Sequence, residues 1–196
     1  LAQRCGCPLH RSPDELPSDL DLACVAVASE GAPDLVAALL AKGLHVLCEH
    51  PVGEGDLRAM LGTANTASRR LHINAHFPEL PWPEGFIAPF LDHARREAPV
   101  AVGIVASDRA LYAVSALLGA VGLTSASELG RGADAGPFTR IHGSLDGTAL
   151  AAAIQRTDQQ DLADGSPDIL VDFRIRAVFP TGVLSLLSPA GPVVWT

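Results

Sequence analysis

Apolar and polar positions along the chain follow two regimes. From Leu20 to Ala28 (LDLACVAVA) apolar residues run almost without interruption over the length of a strand, which predicts a parallel strand covered on both faces by helices. Pro33 then sits at a helix start, Leu35, Leu39 and Leu40 form an apolar helical stripe, and Gly43 suits the position just past the helix end. Leu44 to Cys48 (LHVLC) reads as a second buried strand closed by Pro51, Asp56 to Arg69 as a moderately amphipathic helix, and Leu71 to Asn74 as a short strand. A strand, helix, strand order implies a right-handed crossover. Residues 1–76 therefore have the pattern of the second half of a doubly wound parallel sheet.

Residues 77–196 are patterned differently. Pro83 to Glu97 is helical, Val100 to Ala106 is an apolar strand, and a helix from Arg109 to Val121 ends at Gly122. Phe138 to Gly143 reads as a strand. Asp168 to Phe179 alternates strictly, with Val171, Phe173, Ile175 and Ala177 on one face and Asp172, Arg174 and Arg176 on the other, the signature of a strand with one solvated or interface face. Gly182 to Thr196 reads as strand, turn and strand with nothing to close the last edge. These features predict an α+β domain with a largely antiparallel open sheet. Gly122 to Gly136, rich in small residues, is the candidate mobile loop.

Composition narrows the classes. A chain of 196 residues that is 48% hydrophobic is globular, with one large core or two small ones. Its 14 Lys plus Arg stand against 22 Asp plus Glu, a net charge of −8, which argues against nucleic acid as a partner because that binding needs clustered positive charge. The most apolar window, Ala110 to Leu123, is interrupted by Tyr112, Ser115 and Gly119 and is shorter than the ~20 residues that span a bilayer. No membrane partner is expected. No signal-peptide pattern is visible, and the expected compartment is the cytoplasm. Cys24 and Cys48 lie in apolar runs and are expected as small core residues. Cys5 and Cys7, one residue apart with no second ligand pair, do not make a zinc site. The chain opens on Leu1 in what resembles the tail of a helix, so a missing N-terminal segment is expected.

Ligands of an open parallel sheet bind beyond the carboxyl ends of its strands. Three loops are expected there. The first, Ala28-Ser29-Glu30-Gly31, has small residues where a strand hands over to a helix, so a nucleotide can lie against the backbone. The second, Glu49-His50-Pro51, sets an acid that can accept ribose hydroxyls beside an imidazole that can donate a proton near neutral pH. The third, Ala75-His76-Phe77-Pro78, follows Asn74 and offers His76 either as a proton donor or as a group that orients substrate. His10, His45, His72, His93 and His142 lack a functional neighbour at useful spacing and read as structural or surface residues.

The segment Ala23 to Val52 resembles the second half of the Rossmann domain of the glucose–fructose oxidoreductase family (Gfo/Idh/MocA), in which the second strand ends in Glu-Lys-Pro. Here His50 replaces the lysine. Glu-His-Pro, followed by NAHFP at Asn74 to Pro78 and GPVVW at Gly191 to Trp195, resembles the thiazolinyl imine reductases of siderophore assembly. The resemblance implies NADPH as cofactor and a thiazoline C=N bond as the group reduced, with the substrate tethered as a thioester to a peptidyl carrier domain of a nonribosomal peptide synthetase. It places Ala28, Ser29, Glu49, His50, Pro51 and Asn74 at the cofactor, with His50 and His76 as catalytic residues. It also implies a homodimer formed through the sheet face that carries Arg174 and Arg176. Some relatives have a tyrosine where Phe77 stands, and phenylalanine cannot donate a proton. The glycine-rich fingerprint GxGxxG is not in these residues. Two other readings remain open: a sugar or cyclitol dehydrogenase of the same superfamily, and a dinucleotide-binding protein without turnover.

Overall fold

The computed structural model describes residues 4, 6–27, 31–50, 52–156 and 172–196. The chain divides into two compact units, Leu1–Ala75 and His76–Thr196, each with its own sheet and core.

In the first unit, β1 (Leu22–Val25), β2 (His45–Glu49) and β3 (Leu71–Asn74) pair in parallel in that order. Helices α1 (Ala32–Ala41) and α2 (Glu54–Thr66) make the connections. Pro33 falls in the first turn of α1, where its missing N–H costs nothing. Gly43 (φ +89°) reverses the chain after α1: its N–H donates to Leu40 O and the Leu44 N–H donates to Leu39 O, a closure that favours glycine in the left-handed region. Val36, Leu39 and Leu40 of α1 and Met60 and Ala64 of α2 pack with Val25, Val46 and Cys48 of the sheet. The Lys42 ammonium donates to the carbonyls of Pro13, Asp14 and Leu16 at 2.8–3.0 Å, tying the preceding segment to the end of α1.

The unbroken apolar run at β1 is covered on only one face. Leu20, Leu22 and Val27 are 40%, 55% and 49% exposed, and Cys24, expected in the core, is exposed while Cys48 is buried. The reason is layering: α1 and α2 pack against each other and against one side of the sheet, and no helix among the described residues covers the other. Helix α2 ends at Thr66 rather than Arg69 because Ser68 takes a positive φ of 52°.

The second unit is a seven-stranded sheet in the order β10-β9-β8-β4-β7-β6-β5. Its strands are β4 (Ala101–Ser107), β5 (Ala126–Arg131), β6 (Phe138–Leu145), β7 (Thr148–Gln155), β8 (Phe173–Phe179), β9 (Gly182–Leu186) and β10 (Val193–Trp195). Every pairing is antiparallel except β4 with β7. Helix α3 (Pro81–Ala94) packs on β9 and β10, and α4 (Leu111–Ala120) on β4. Phe86, Phe90, Val102, Ile104, Phe173, Ile175, Phe179 and Leu186 fill the core beneath them.

The alternation predicted for β8 holds: Phe173, Ile175, Ala177 and Phe179 are buried, and Arg174 and Arg176 are exposed. Residues 168–171 of that predicted strand, Val171 among them, lie outside the described residues. The segment expected as a mobile loop instead contains β5. A glycine of the partner strand permits the close approach: a Cβ on Gly143 of β6 would meet Ser127 O and Leu129 Cδ2 of β5 at 2.9 Å, and the Ser127 and Ser144 hydroxyls are bonded at 2.8 Å across the pair. Strand β7 was not anticipated. Its signal is the Asp146-Gly147 pair, at φ +47° and +83°, the two-residue turn whose twist matches a β-hairpin.

Candidate functional site

The register of the first sheet aligns the strand ends. Val25 pairs with Cys48, Cys48 with Ile73, and Glu49 with Asn74. Parallel strands of matched length bring Glu49 and Asn74 side by side at the carboxyl edge, and Asn74 Nδ2 donates to Glu49 Oε2 at 2.9 Å. The other carboxylate oxygen accepts the His50 backbone N–H at 3.3 Å. An exposed glutamate is thus held in one orientation, with His50 next along the chain and half-buried. Beneath it Cys48 is fully buried. Burial pushes its thiol pKa up, and the neighbouring Glu49 charge adds to the rise, so Cys48 is an inert core group rather than a nucleophile.

Of the residues predicted around the cofactor, Glu49, His50 and Asn74 come together at this edge. Ala28, Ser29 and Pro51 lie outside the described residues. The first turns of α1 and α2 have no side-chain cap, so backbone N–H donors remain where each helix leaves the strand ends. An oriented carboxylate and an amide fit the hydroxyls and carboxamide of the nicotinamide half of a dinucleotide. Among the described residues no group of three or more His, Cys, Asp or Glu is placed to hold a metal, and no helix is long and apolar enough to cross a membrane.

His76 belongs to the second unit. It is exposed and precedes a 3-10 turn, Phe77–Glu79, with its ring 4.8 Å from that of Phe77. Phe77 is a core residue, 8% exposed, packed edge-on against Tyr112 at 5.5 Å and near Phe173 at 6.1 Å. A phenol therefore stands beside the phenylalanine that cannot donate a proton, on the first turn of α4. Sequence reasoning passed over it because Tyr112 reads there only as an interruption of an apolar window. Arg109, one turn earlier, was likewise taken as a helix boundary, yet its Nε is buried without a hydrogen-bond partner.

Two other histidines have visible packing or bonding partners. His45 Nδ1 accepts the Arg70 N–H at 2.9 Å. The His93 ring stacks on Trp195 at 4.0 Å with a 4° interplanar angle, clamping the edge strand β10 to α3.

A parallel strand–helix sheet with polar groups gathered at its carboxyl edge, and a second unit built on a mixed, largely antiparallel sheet, define an NAD-binding Rossmann α/β fold of two domains. Residues 1–75 match the family described as "Oxidoreductase family, NAD-binding Rossmann fold" (GFO_IDH_MocA). No curated protein matches the chain in sequence.

Solved structures share the fold over nearly the whole chain. The WlbA dehydrogenase of Chromobacterium violaceum, solved with NADH and UDP-GlcNAcA, superposes with a TM-score of 0.76 at 13% identity, covering 99% of this chain and 64% of that one. An oxidoreductase of Sinorhizobium meliloti gives 0.74 at 13% identity, covering 100% and 63%. The UDP-N-acetylglucosamine 3-dehydrogenase GnnA of Acidithiobacillus ferrooxidans gives 0.65 at 17% identity, covering 94% and 64%. The chain spans less than two thirds of the length of each of these three.

Proposed function

We propose that this chain is part of a nicotinamide-dependent oxidoreductase that reduces a C=N bond, with NADPH as the cofactor and a carrier-tethered thiazoline as the substrate. The observation that carries the reading is the Glu49–Asn74 hydrogen bond across aligned strand ends, which fixes a carboxylate beside His50, the residue that replaces the lysine of the Glu-Lys-Pro motif this segment resembles. NADPH, when bound, supplies the hydride.

The residues of the chain do the rest. Glu49 accepts hydroxyl protons of the cofactor and stays oriented because Asn74 and the His50 N–H occupy its two oxygens from one side. The His50 imidazole delivers a proton to the ring nitrogen, the role histidine commonly takes in acid–base catalysis. A C=N bond needs an acid, whereas alcohol oxidation needs a base at the place where the lysine is replaced. His76 is proposed as the second catalytic residue, orienting substrate from its exposed position before the Phe77–Glu79 turn.

The test uses the chain with NADPH and a thiazoline thioester surrogate, following NADPH absorbance. His50→Ala is expected to lower turnover about 10²–10⁴-fold, the range for loss of a positioned acid, with NADPH affinity changed far less. Equal turnover in the two proteins removes His50 from the chemistry.

A second reading has an observation of its own. Two of the similar structures are named for sugar nucleotides, as dehydrogenases, which favours oxidation of a sugar alcohol with NAD. Reduction of NAD by UDP-N-acetylglucosamine, with no NADPH oxidation by the thiazoline surrogate, selects that reading.

The proposed partner is a second copy of the chain, docked on the open face of the large sheet. There Val105 and Leu187 are 45% and 41% exposed beside Arg174 and Arg176, over a concave floor of Gly103, Ala151 and Ala153 enclosing about 900 Å³. A monomer in sedimentation at micromolar concentration rejects it.

A further inference from the structure

We infer that Arg109 is a binding residue for an oxyanion, a carboxylate or a phosphate ester carried by the bound small molecule. Arg109 sits in the single 3-10 turn Asp108–Ala110 that joins the end of β4 to α4. Its Nε is buried and meets no acceptor. Among the described residues Arg109 takes part in no ion pair.

A guanidinium is charged at any working pH and has no neutral form to retreat to. Leaving one of its N–H donors buried and unpaired costs roughly 1–3 kcal/mol, and a native group of that kind calls for an explanation in terms of a ligand, an ion or strain. Strain is not evident: Ser107, immediately before the turn, continues the strand and donates its N–H to Asp172 O at 3.0 Å, and the residues that flank the turn, Ser107 and Leu111, have ordinary extended and helical backbone angles.

The surroundings suit recognition rather than packing. Arg109 lies in the 3-10 turn and Tyr112 in the first turn of α4, three residues further along the chain. Tyr112 lies edge-on to Phe77, and the His76 ring is 4.8 Å from the ring of Phe77. A phenol and an imidazole thus both pack on one aromatic core residue of the second unit, and the guanidinium stands three residues before the phenol in the chain. The Nε and one terminal nitrogen of arginine form a planar two-donor edge that matches the two oxygens of a carboxylate or a phosphate. A neutral amide offers such an edge only one oxygen.

The inference rests on the oxidoreductase reading only in assigning the oxyanion to its substrate, since the anion is read here by binding and not by turnover. The experiment is an NMR titration of the ¹⁵N-labelled chain, following arginine Nε–H signals, with Arg109 identified by the signal lost in Arg109→Lys. Acetate and methyl phosphate are the probes for the two sources, with acetamide and chloride as controls at constant ionic strength. A saturable shift of the Arg109 signal with acetate or with methyl phosphate, and affinity at least about tenfold weaker in Arg109→Lys, are expected.

The same response to chloride or acetamide, or no saturable response to either anion, overturns the assignment. If Arg109→Lys fails to fold, Tyr112→Phe identifies the signal by its displacement and the wild-type titration alone decides. Anion binding without NADPH turnover rejects the imine-reductase reading and leaves this one standing. NADPH turnover without anion binding does the reverse.

Discussion

The two sheets solve the problem of covering a β-surface differently. The small parallel sheet packs an aliphatic core of Val36, Leu39, Leu40, Val46 and Met60 on one side and leaves Leu22 and Cys24 exposed on the other. The large sheet packs phenylalanines from α3 and β8, with leucines and valines of α4 and β4, on one side, and its opposite face carries arginines, glycines and alanines. Both sheets are thus one-faced among the described residues. Only the large sheet has a sequence written for that state, with apolar and polar residues alternating along β8. The continuous apolar run of β1 is written for two covered faces. Periodicity therefore reports the environment a strand is suited to, and the comparison with observed burial shows where that environment is incomplete.

The strongest way to test this contrast is to truncate one residue of each kind. Phe173→Ala removes a ring that is 1% exposed and is expected to cost about 3–5 kcal/mol in denaturant unfolding. Leu22→Ala, on the exposed face of β1, is expected to cost less than about 0.5 kcal/mol. If the two losses are similar, the outer face of β1 is packed in solution and the contrast is broken.

A smaller effect separates the centre of the large sheet from the β5–β6 pair at its edge. In Gly143→Ala the new methyl meets Ser127 O and Leu129 at 2.9 Å, whereas in Gly103→Ala it lies 3.8 Å from Arg176 Cβ. The first is expected to lose about 1–3 kcal/mol by overpacking the β5–β6 pair. The second is expected to change stability by less than about 0.5 kcal/mol. Thermal unfolding of both variants side by side gives the answer, and a tolerant Gly143 restores the mobile-loop reading of that segment.

The smallest expected effect is electrostatic. The Asp146 carboxylate accepts the backbone N–H groups of Thr124 and Ser125 at 2.6 and 3.0 Å. Those two bonds hold its pKa below the ordinary 3.8, the one from Ser125 counting most. A depressed folded-state pKa means that the stabilisation is present above the unfolded value and is lost as pH falls through the folded one. Asp146→Asn is expected to remove this acid-side slope from a plot of stability against pH. A slope of the same size in the variant assigns it to other carboxylates.

Much of the architecture was legible because hydrophobic period and backbone punctuation agree. Pro33 and Gly43 bracket α1 as glycine and proline chemistry requires, and β3 and β8 follow from length and alternation. Two features of the large sheet were not read. Half of β7 (Thr148–Gln155) is alanine, and its β-branched residues stand only near the two ends, at Thr148 and Ile154, so the usual strand signal is weak and Asp146-Gly147 marks it best. β5 is polar, exposed and at the sheet edge, so its pairing with β6 leaves little trace in hydropathy. At the site, Glu49, His50 and Asn74 were readable from strand ends. Arg109 and Tyr112 were not, because their significance depends on which side chain in a neighbouring element fails or succeeds in meeting them.

The single parallel pairing in the large sheet has a bearing on how the chain acquires its structure. β4 is flanked by β7 and β8, and both follow it at long range in sequence. The central strand must therefore wait, with its apolar residues unshielded, while a helix and a three-stranded meander form downstream. Loop closure of that span precedes any reward from pairing. Synthesis on the ribosome would leave β4 without its first partner until β7 (Thr148–Gln155) has emerged and without its second until β8 (Phe173–Phe179) follows, which makes the nascent second unit the part of the molecule most dependent on protection from aggregation.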